Sequence, residues 1–403
     1  MTGTIEILDT TLRDGEQTSG VSFNDEEKLT LAKILLEDLG VNRIEVASAR
    51  VSQGELSAFR KICAWAETAG RLEQVEALGF VDGGQSIRWI SESGGRVLNL
   101  LAKGSLKHVT TQLGKTPEEH WNDILRDVAL AHAAGLGVNI YLEDWSNGMK
   151  DSPEYVKSMV DALKDSGIRR FMLPDTLGVL SPEQTAEFVG EMVSEFPDLH
   201  FDFHGHNDYD LSVANSAAAV KAGARGVHTT VNGLGERTGN TPVASFLGVL
   251  NDHLKVANTL KETELTHVCR YVESISGIRI PENKPIVGAA VFTQSAGIHA
   301  DGDKKGHLYE NQLLPERFGR VRKYALGKTS GKANIAKNLE ELGIRLTSDQ
   351  IRKVTERVVE LGDKKEMVTT EDLPFIISDV LKGEFSQGED QIKVVNYSLQ
   401  LAR

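Results

Sequence analysis

Eight times before residue 260, a short apolar run gives way to a longer stretch with apolar residues three and four apart. The runs are "IEIL" (5–8), "NRIEVA" (42–47), "VEALGF" (75–80), "RVLNLL" (96–101), "VNIYLE" (138–143), "RRFMLP" (169–174), "HFDFHG" (200–205) and "GVHTTV" (226–231). This alternation constrains the chain more than any other feature. It demands a parallel sheet with helical crossovers. Eight such units over ~250 residues predict a closed (β/α)₈ barrel. An open doubly wound sheet would want a glycine-rich phosphate loop after its first strand, and "LDTTLRDGEQ" is not one. The stretch "SPEQTAEFVGEMVSEF" (181–196) carries an explicit helix start. Ser181 is the N-cap, Pro182 takes the first position and Gln184 closes a capping box. Gly40 and Gly70 stand where helix C-caps belong.

The rhythm stops near residue 280. Residues 281–325 hold Pro281, Pro285 and Pro315 with little regular period, and predict a linker with a small subdomain. Residues 326–385 turn helical again. The tail, 386–403, ends in a lone strand-like run, which is expected either to dock elsewhere or to be the start of a further domain.

The net charge of −13 argues against a nucleic-acid partner bound through a general positive field. The two cysteines, Cys63 and Cys269, are far apart and predict buried free thiols in a reducing, cytoplasmic setting. "MTGTIEILDTTLRDGEQ" lacks the pattern of a signal peptide, and no apolar run approaches membrane-spanning length.

In a barrel of this kind, chemistry gathers at the C-terminal ends of the strands. Reactive residues cluster there. "TTLRDGEQ" brings Arg13, Asp14, Glu16 and Gln17 to the mouth, and "YLEDW" puts Tyr141 and Glu143 on one face. "LPDTLG" adds Asp175 and Thr176, "HGHND" adds His204 and His206, and "NGLGERTGN" adds Glu236, Arg237 and Asn240. Two imidazoles two residues apart on a strand end point the same way. An isolated pair of this sort is more often structural. With Asp14 at another strand end, it predicts a site for a divalent cation, Zn²⁺, Mn²⁺ or Mg²⁺. Arg13 beside it can be a salt-bridged surface arginine or a fixed cation for oxyanion charge. Glu143 can be a ligand, a base or an orienting group.

Two long motifs, "LRDGEQTSGVSFNDEEK" (12–28) and "FDFHGHNDYDLSVA" (201–214), resemble the signatures of the α-isopropylmalate, homocitrate and citramalate synthase family. "NGLGERTGNTP" (232–242) resembles its third shared loop, and the likeness runs to about residue 385. The resemblance implies condensation of acetyl-CoA with a 2-oxo acid. It also implies metal ligation by Asp14, His204 and His206, with Asn240 as a further ligand or its neighbour. Arg13 matches the residue on the substrate's keto oxygen, Glu143 a catalytic acid and Thr176 a contact to the substrate carboxylate. "QSAGIHADGDKKGHLYE" (294–310) resembles the segment that brings a histidine and a tyrosine to the partner's site, here His299 and Tyr309. That implies a homodimer with shared sites. The basic stretch "DKKGH…PERFGRVRK" can serve the CoA phosphates or be a solvated face. After "HND" the family commonly has x-Gly, where this chain has Tyr209 and Asp210.

Leu78, Leu101 and Tyr141 either fill the barrel core or line the pocket beside Gln17 and Thr176. As pocket walls they leave room for a methyl rather than an isopropyl group. That favours pyruvate, and so the citramalate-forming branch of isoleucine biosynthesis. 2-Oxoisovalerate, with isopropylmalate as product, is the alternative. A metal-dependent acyl-CoA lyase is the next alternative, but residues 232–242 lack the cysteine such lyases carry. A non-catalytic scaffold would leave this constellation without use. The missing regulatory domain predicts weak feedback inhibition by isoleucine or leucine.

Overall fold

The computed structural model describes residues 4–296, 302, 306 and 308–381. They divide into two compact units, Met1–Gly288 and Ala289–Arg403.

The first unit is the barrel. Its strands are β1 (Glu6–Asp9), β2 (Arg43–Ser48), β3 (Val75–Phe80), β4 (Val97–Lys103), β5 (Gly137–Glu143), β6 (Phe171–Asp175), β7 (Phe201–Gly205) and β8 (Gly226–Thr229). Spatial order equals chain order, and β8 closes in parallel on β1. Each strand lies within two residues of the run that predicts it. Ser181 and Gln184 form the expected capping box on helix Pro182–Glu195, and Gly40 ends its helix with φ +84°. Both cysteines are buried free thiols.

Barrel interiors are usually filled with branched apolar residues. This one is polar in its lower half. Arg43 reaches from β2 to Glu76 at 3.0 Å and across to Asp202 on β7 at 2.6 Å. Asn99 donates to both Glu45 and Glu76, and Asn139 donates to Asn99. His228 joins Tyr141 Oη to Asp202. All of these side chains are buried, and each buried charge has a partner, the condition for tolerating charge in a core. Gly226 is required here. A Cβ at that position would lie 2.1 Å from Asp202 Oδ1. Above this layer Leu8, Leu78, Tyr141 and Met172 pack together, with Leu101 against them.

Asp9, on the outward face of β1, is different. It is fully buried, and one oxygen accepts from the Thr11 amide at 2.9 Å while the other has no partner. Burial pushes its carboxyl up to about 7 against the hydrogen bonds from Thr11. The folded chain therefore holds this proton more tightly than the unfolded chain does. Stability is full below the unfolded value and falls as pH rises toward neutrality, by up to roughly 4 kcal/mol for a group shifted this far. Asp9→Asn keeps the acceptor and removes the charge. The melting temperature of Asp9→Asn relative to the parent is expected to climb between about pH 4 and pH 7 and to level off above that. Thermal scans across that range check it, and parallel profiles would contradict it.

In the second unit, β9 (Thr293–Gln294) pairs in parallel with β10 (Lys323–Tyr324). Three helices follow, Lys332–Glu341, Ser348–Asp363 and Leu373–Val380. They close on a core of Ile335, Leu339, Val354, Val358, Leu373 and Ile377. Among the described residues no helix is long and apolar enough to cross a membrane.

Candidate active site

At the C-terminal mouth of the barrel, the chain leaves β1 in a tight turn. The amides of Arg13, Asp14 and Gly15 all donate to the Thr10 carbonyl. This turn aims Arg13 and Asp14 inward. The Arg13 Nε donates to Glu45 Oε2 at 2.6 Å, and its Nη1 donates to Asp14 Oδ2 at 3.0 Å. The guanidinium also lies 5.8 Å from the centre of the Tyr141 ring. Both orientation and charge of Arg13 are thus fixed, since Glu45 and Asp14 outweigh the effect of its burial.

His204 is the last residue but one of β7, and His206 lies just beyond the strand, bridged by backbone to Asn240. Their Nε2 atoms approach Asp14 Oδ2 at 3.4 and 4.0 Å. Asp14, His204 and His206 offer ligand atoms that all lie within 4.8 Å of one another. Burial pushes Asp14 up, but Arg13 and the hydrogen-bonded His204 hold it well below the usual carboxylate range. Burial and then the neighbouring His204 push His206 down to about 4, and burial also lowers His204. The result is one carboxylate beside two neutral imidazoles, the protonation state a cation needs.

The residues fit a divalent ion on independent grounds. Asp14 Oδ1, Asn240 Oδ1 and the Nδ1 atoms of both histidines are buried without a hydrogen-bond partner. Buried polar atoms are rarely left so. In the connected network, three guanidiniums (Arg13, Arg43, Arg170) face five carboxyl groups (Glu6, Asp14, Glu45, Glu76, Asp202). One divalent cation would complete that balance. Asn240 is pressed close by the loop itself. Gly235 has φ +150°, and a Cβ there would meet Asn240 Nδ2 at 2.1 Å and Asp14 Oδ1 at 3.2 Å.

A cavity of about 310 Å³ opens beside this cluster. Arg13, Asp14, Gln17, Leu78, Leu101, Tyr141, Glu143, Thr176, His204 and His206 all line it. With Glu236 on the same wall, eleven of the residues singled out from sequence therefore meet at one place. Tyr141 does double duty, since its hydroxyl is tied down to His228 at 3.0 Å. Thr176 accepts from the Asp144 amide, and Arg237 donates to the Thr176 carbonyl while pairing with Asp208.

Other candidates go elsewhere. Asp175 points away from the cavity and accepts from the amides of Val179 and Leu180. His299 lies outside the described residues, and Tyr309 is half exposed in the second unit. The described arginines of the basic stretch have partners in their own unit: Arg317 stacks on Phe318, Arg320 on Phe292, and Arg322 pairs with Glu310. Tyr209 is exposed, and Asp210 adopts φ +59°, the left-handed conformation that explains why a glycine is usual there. Neither lines the cavity.

Sequence reasoning missed Glu45, which anchors Arg13, and the polar layer beneath. The signal was available as alternate-residue spacing: Arg43 and Glu45, Asn99 and Leu101, Asn139 and Tyr141, Asp202 and His204.

Comparison with known proteins agrees with this geometry. The HMGL-like family model matches residues 4–272, and the homocitrate synthase post-HMGL domain-like model matches residues 286–366. A Methanopyrus kandleri protein carrying the provisional name (R)-citramalate synthase is 36% identical over 94% of this chain and 72% of its own. A 2-isopropylmalate synthase of Sulfurisphaera tokodaii is 35% identical over 91% of this chain and 93% of its own. Among solved structures, the HMG-CoA lyase of Brucella melitensis shares the fold, with a TM-score of 0.59 at 19% identity, over 69% of this chain and 100% of that one. The chain belongs to the HMGL-like family and, within it, to the group of citramalate and 2-isopropylmalate synthases.

Proposed function

We propose that the protein is an acyltransferase that condenses acetyl-CoA with a small 2-oxo acid in a metal-dependent, Claisen-type reaction. The observation that carries this reading is the buried Asp14, His204 and His206 cluster opening on a cavity that Arg13 and Glu143 also line. A divalent ion held by these three residues, with Asn240 alongside, would supply Lewis-acid polarisation of the keto group. Arg13 is oriented by Glu45 and Asp14 to stabilise the negative charge that develops on that oxygen. In this reading Thr176 and Gln17, which line the cavity, bind the substrate carboxylate. Glu143, which lines the same mouth, moves a proton in this reading. His299 and Tyr309 share that proton work in this reading, from a second subunit of a homodimer.

Pyruvate is the preferred 2-oxo acid in this proposal, with citramalate as product. Leu78, Leu101 and the tethered Tyr141 together form an apolar floor on neighbouring strands, which supports a methyl-sized side chain. The 2-isopropylmalate reading remains the specific alternative, since relatives of the two names match at 36% and 35% identity. One extra methylene changes binding in such a pocket by only ~1–3 kcal/mol. Leu101→Ala should therefore raise kcat/KM for 2-oxoisovalerate relative to pyruvate by ~10–100-fold. Steady-state kinetics with pyruvate, 2-oxobutyrate and 2-oxoisovalerate test both points. A parent enzyme that prefers 2-oxoisovalerate would replace pyruvate with the alternative.

A further inference from the structure

Glu143 has a fixed neighbour that the family motifs did not single out. Lys103 ends β4 directly across from Glu143 at the end of β5, two residues beyond the Leu101–Tyr141 pair in the same register. Side chains two apart on a strand share a face. Lys103 and Glu143 therefore form a charged layer above the apolar floor, on the cavity side. The Lys103 ammonium donates to Glu143 Oε2, and both side chains are largely sheltered, at 14% and 27% exposure. Among the described residues Glu143 Oε1 has no such partner.

The backbone around this pair is held on both sides. The Lys103 amide donates to His120 Nε2 at 3.1 Å, and the Lys103 carbonyl accepts from Tyr155 Oη at 2.9 Å. Those partners come from the helices Pro117–Ala133 and Pro153–Leu163 outside the barrel. Burial and the nearby Lys115 push His120 down to about 4, so its ring stays neutral and can accept. The Gly104 amide donates to the Glu143 carbonyl at 2.6 Å, and a Cβ on Gly104 would lie 2.4 Å from the Leu142 carbonyl oxygen. Only glycine lets the two strand ends approach this closely.

We infer that Lys103 is a positioning residue: it holds the Glu143 carboxylate in one rotamer at the mouth of the cavity, with Oε1 left to face the reactants. A glutamate side chain has three rotatable bonds, and a charge-assisted hydrogen bond to a fixed ammonium removes that freedom before substrate arrives. The inference rests on the reading of Glu143 as the proton-moving group in the proposed reaction.

The test is a double-mutant cycle in the full chain with divalent metal present, following thiol release from acetyl-CoA with the 2-oxo acid the parent uses best. Lys103→Met should lower kcat by ~10–100-fold with the KM for the 2-oxo acid within ~2-fold of the parent. Lys103→Arg should recover most of the loss. Lys103→Met/Glu143→Gln should be no slower than Glu143→Gln alone, because a positioning residue has nothing left to position. A raised KM at unchanged kcat, or losses that multiply in the double variant, would overturn the inference and leave Lys103 as a direct substrate contact or a structural residue. If Lys103→Met does not fold, Lys103→Gln decides by the same split of kcat and KM. A parent protein with no 2-oxo-acid-dependent thiol release sinks the proposed function itself, and the inference with it, which is a different result from an active parent indifferent to Lys103.

Discussion

Replacing His204 by alanine is expected to lower kcat/KM by at least ~10³-fold and to strip the bound divalent ion. His204 is buried at the end of β7, with its ring against Asp14, Tyr141 and His228. Its loss removes one of three converging donors and leaves Asp14 and His206 too few to hold a metal at working concentrations. The barrel should survive, because the side chain carries no strand pairing and the cavity opens to water. Metal content of the purified variant, circular dichroism and thiol-release kinetics together check the outcome. A variant with full metal content and near-parent kcat/KM would contradict it.

The second large effect is at Arg13. Arg13→Lys is expected to lower kcat by ~10²–10³-fold with a much smaller change in KM, the signature of a group that acts in the transition state. Lysine keeps the charge but not the fork. In the parent, Nε is committed to Glu45 and Nη1 to Asp14, and the planar guanidinium still has N–H groups to present to the cavity. An ammonium satisfying Glu45 would sit too far back to do both. Steady-state kinetics of Arg13→Lys and Arg13→Ala check this. Full activity in Arg13→Lys would show that charge alone is needed and that the clamp by Glu45 has no catalytic role.

Much of this was legible from the chain. The eight strand–helix units carry their own period, and that period fixed the barrel. The barrel then fixed where to look, since strand ends collect chemistry. Asp14 and the His204–His206 pair are 190 residues apart in sequence. Only the closure of β8 onto β1 makes β1 and β7 near neighbours across the mouth.

What was hidden has physical reasons. The polar interior needs a closed cylinder before Arg43 on β2 can face Asp202 on β7. In an open strand those residues look like solvent-facing interruptions of an apolar run. Glu45 was concealed in the same way, inside "RIEVA" (43–47). Tyr209 and Asp210 lie outside the cavity lining. They break a familiar motif, so they look informative, yet backbone conformation explains Asp210 and exposure explains Tyr209. Lys103 lies at the end of an apolar strand and shows its partner only once β4 and β5 are in register.

The central claim is tested most directly by thiol release from acetyl-CoA, measured with and without pyruvate and with and without EDTA. The account predicts release that needs a 2-oxo acid, is abolished by the chelator and returns on adding back Mg²⁺, Mn²⁺ or Zn²⁺. Release that ignores both the 2-oxo acid and the chelator would contradict it.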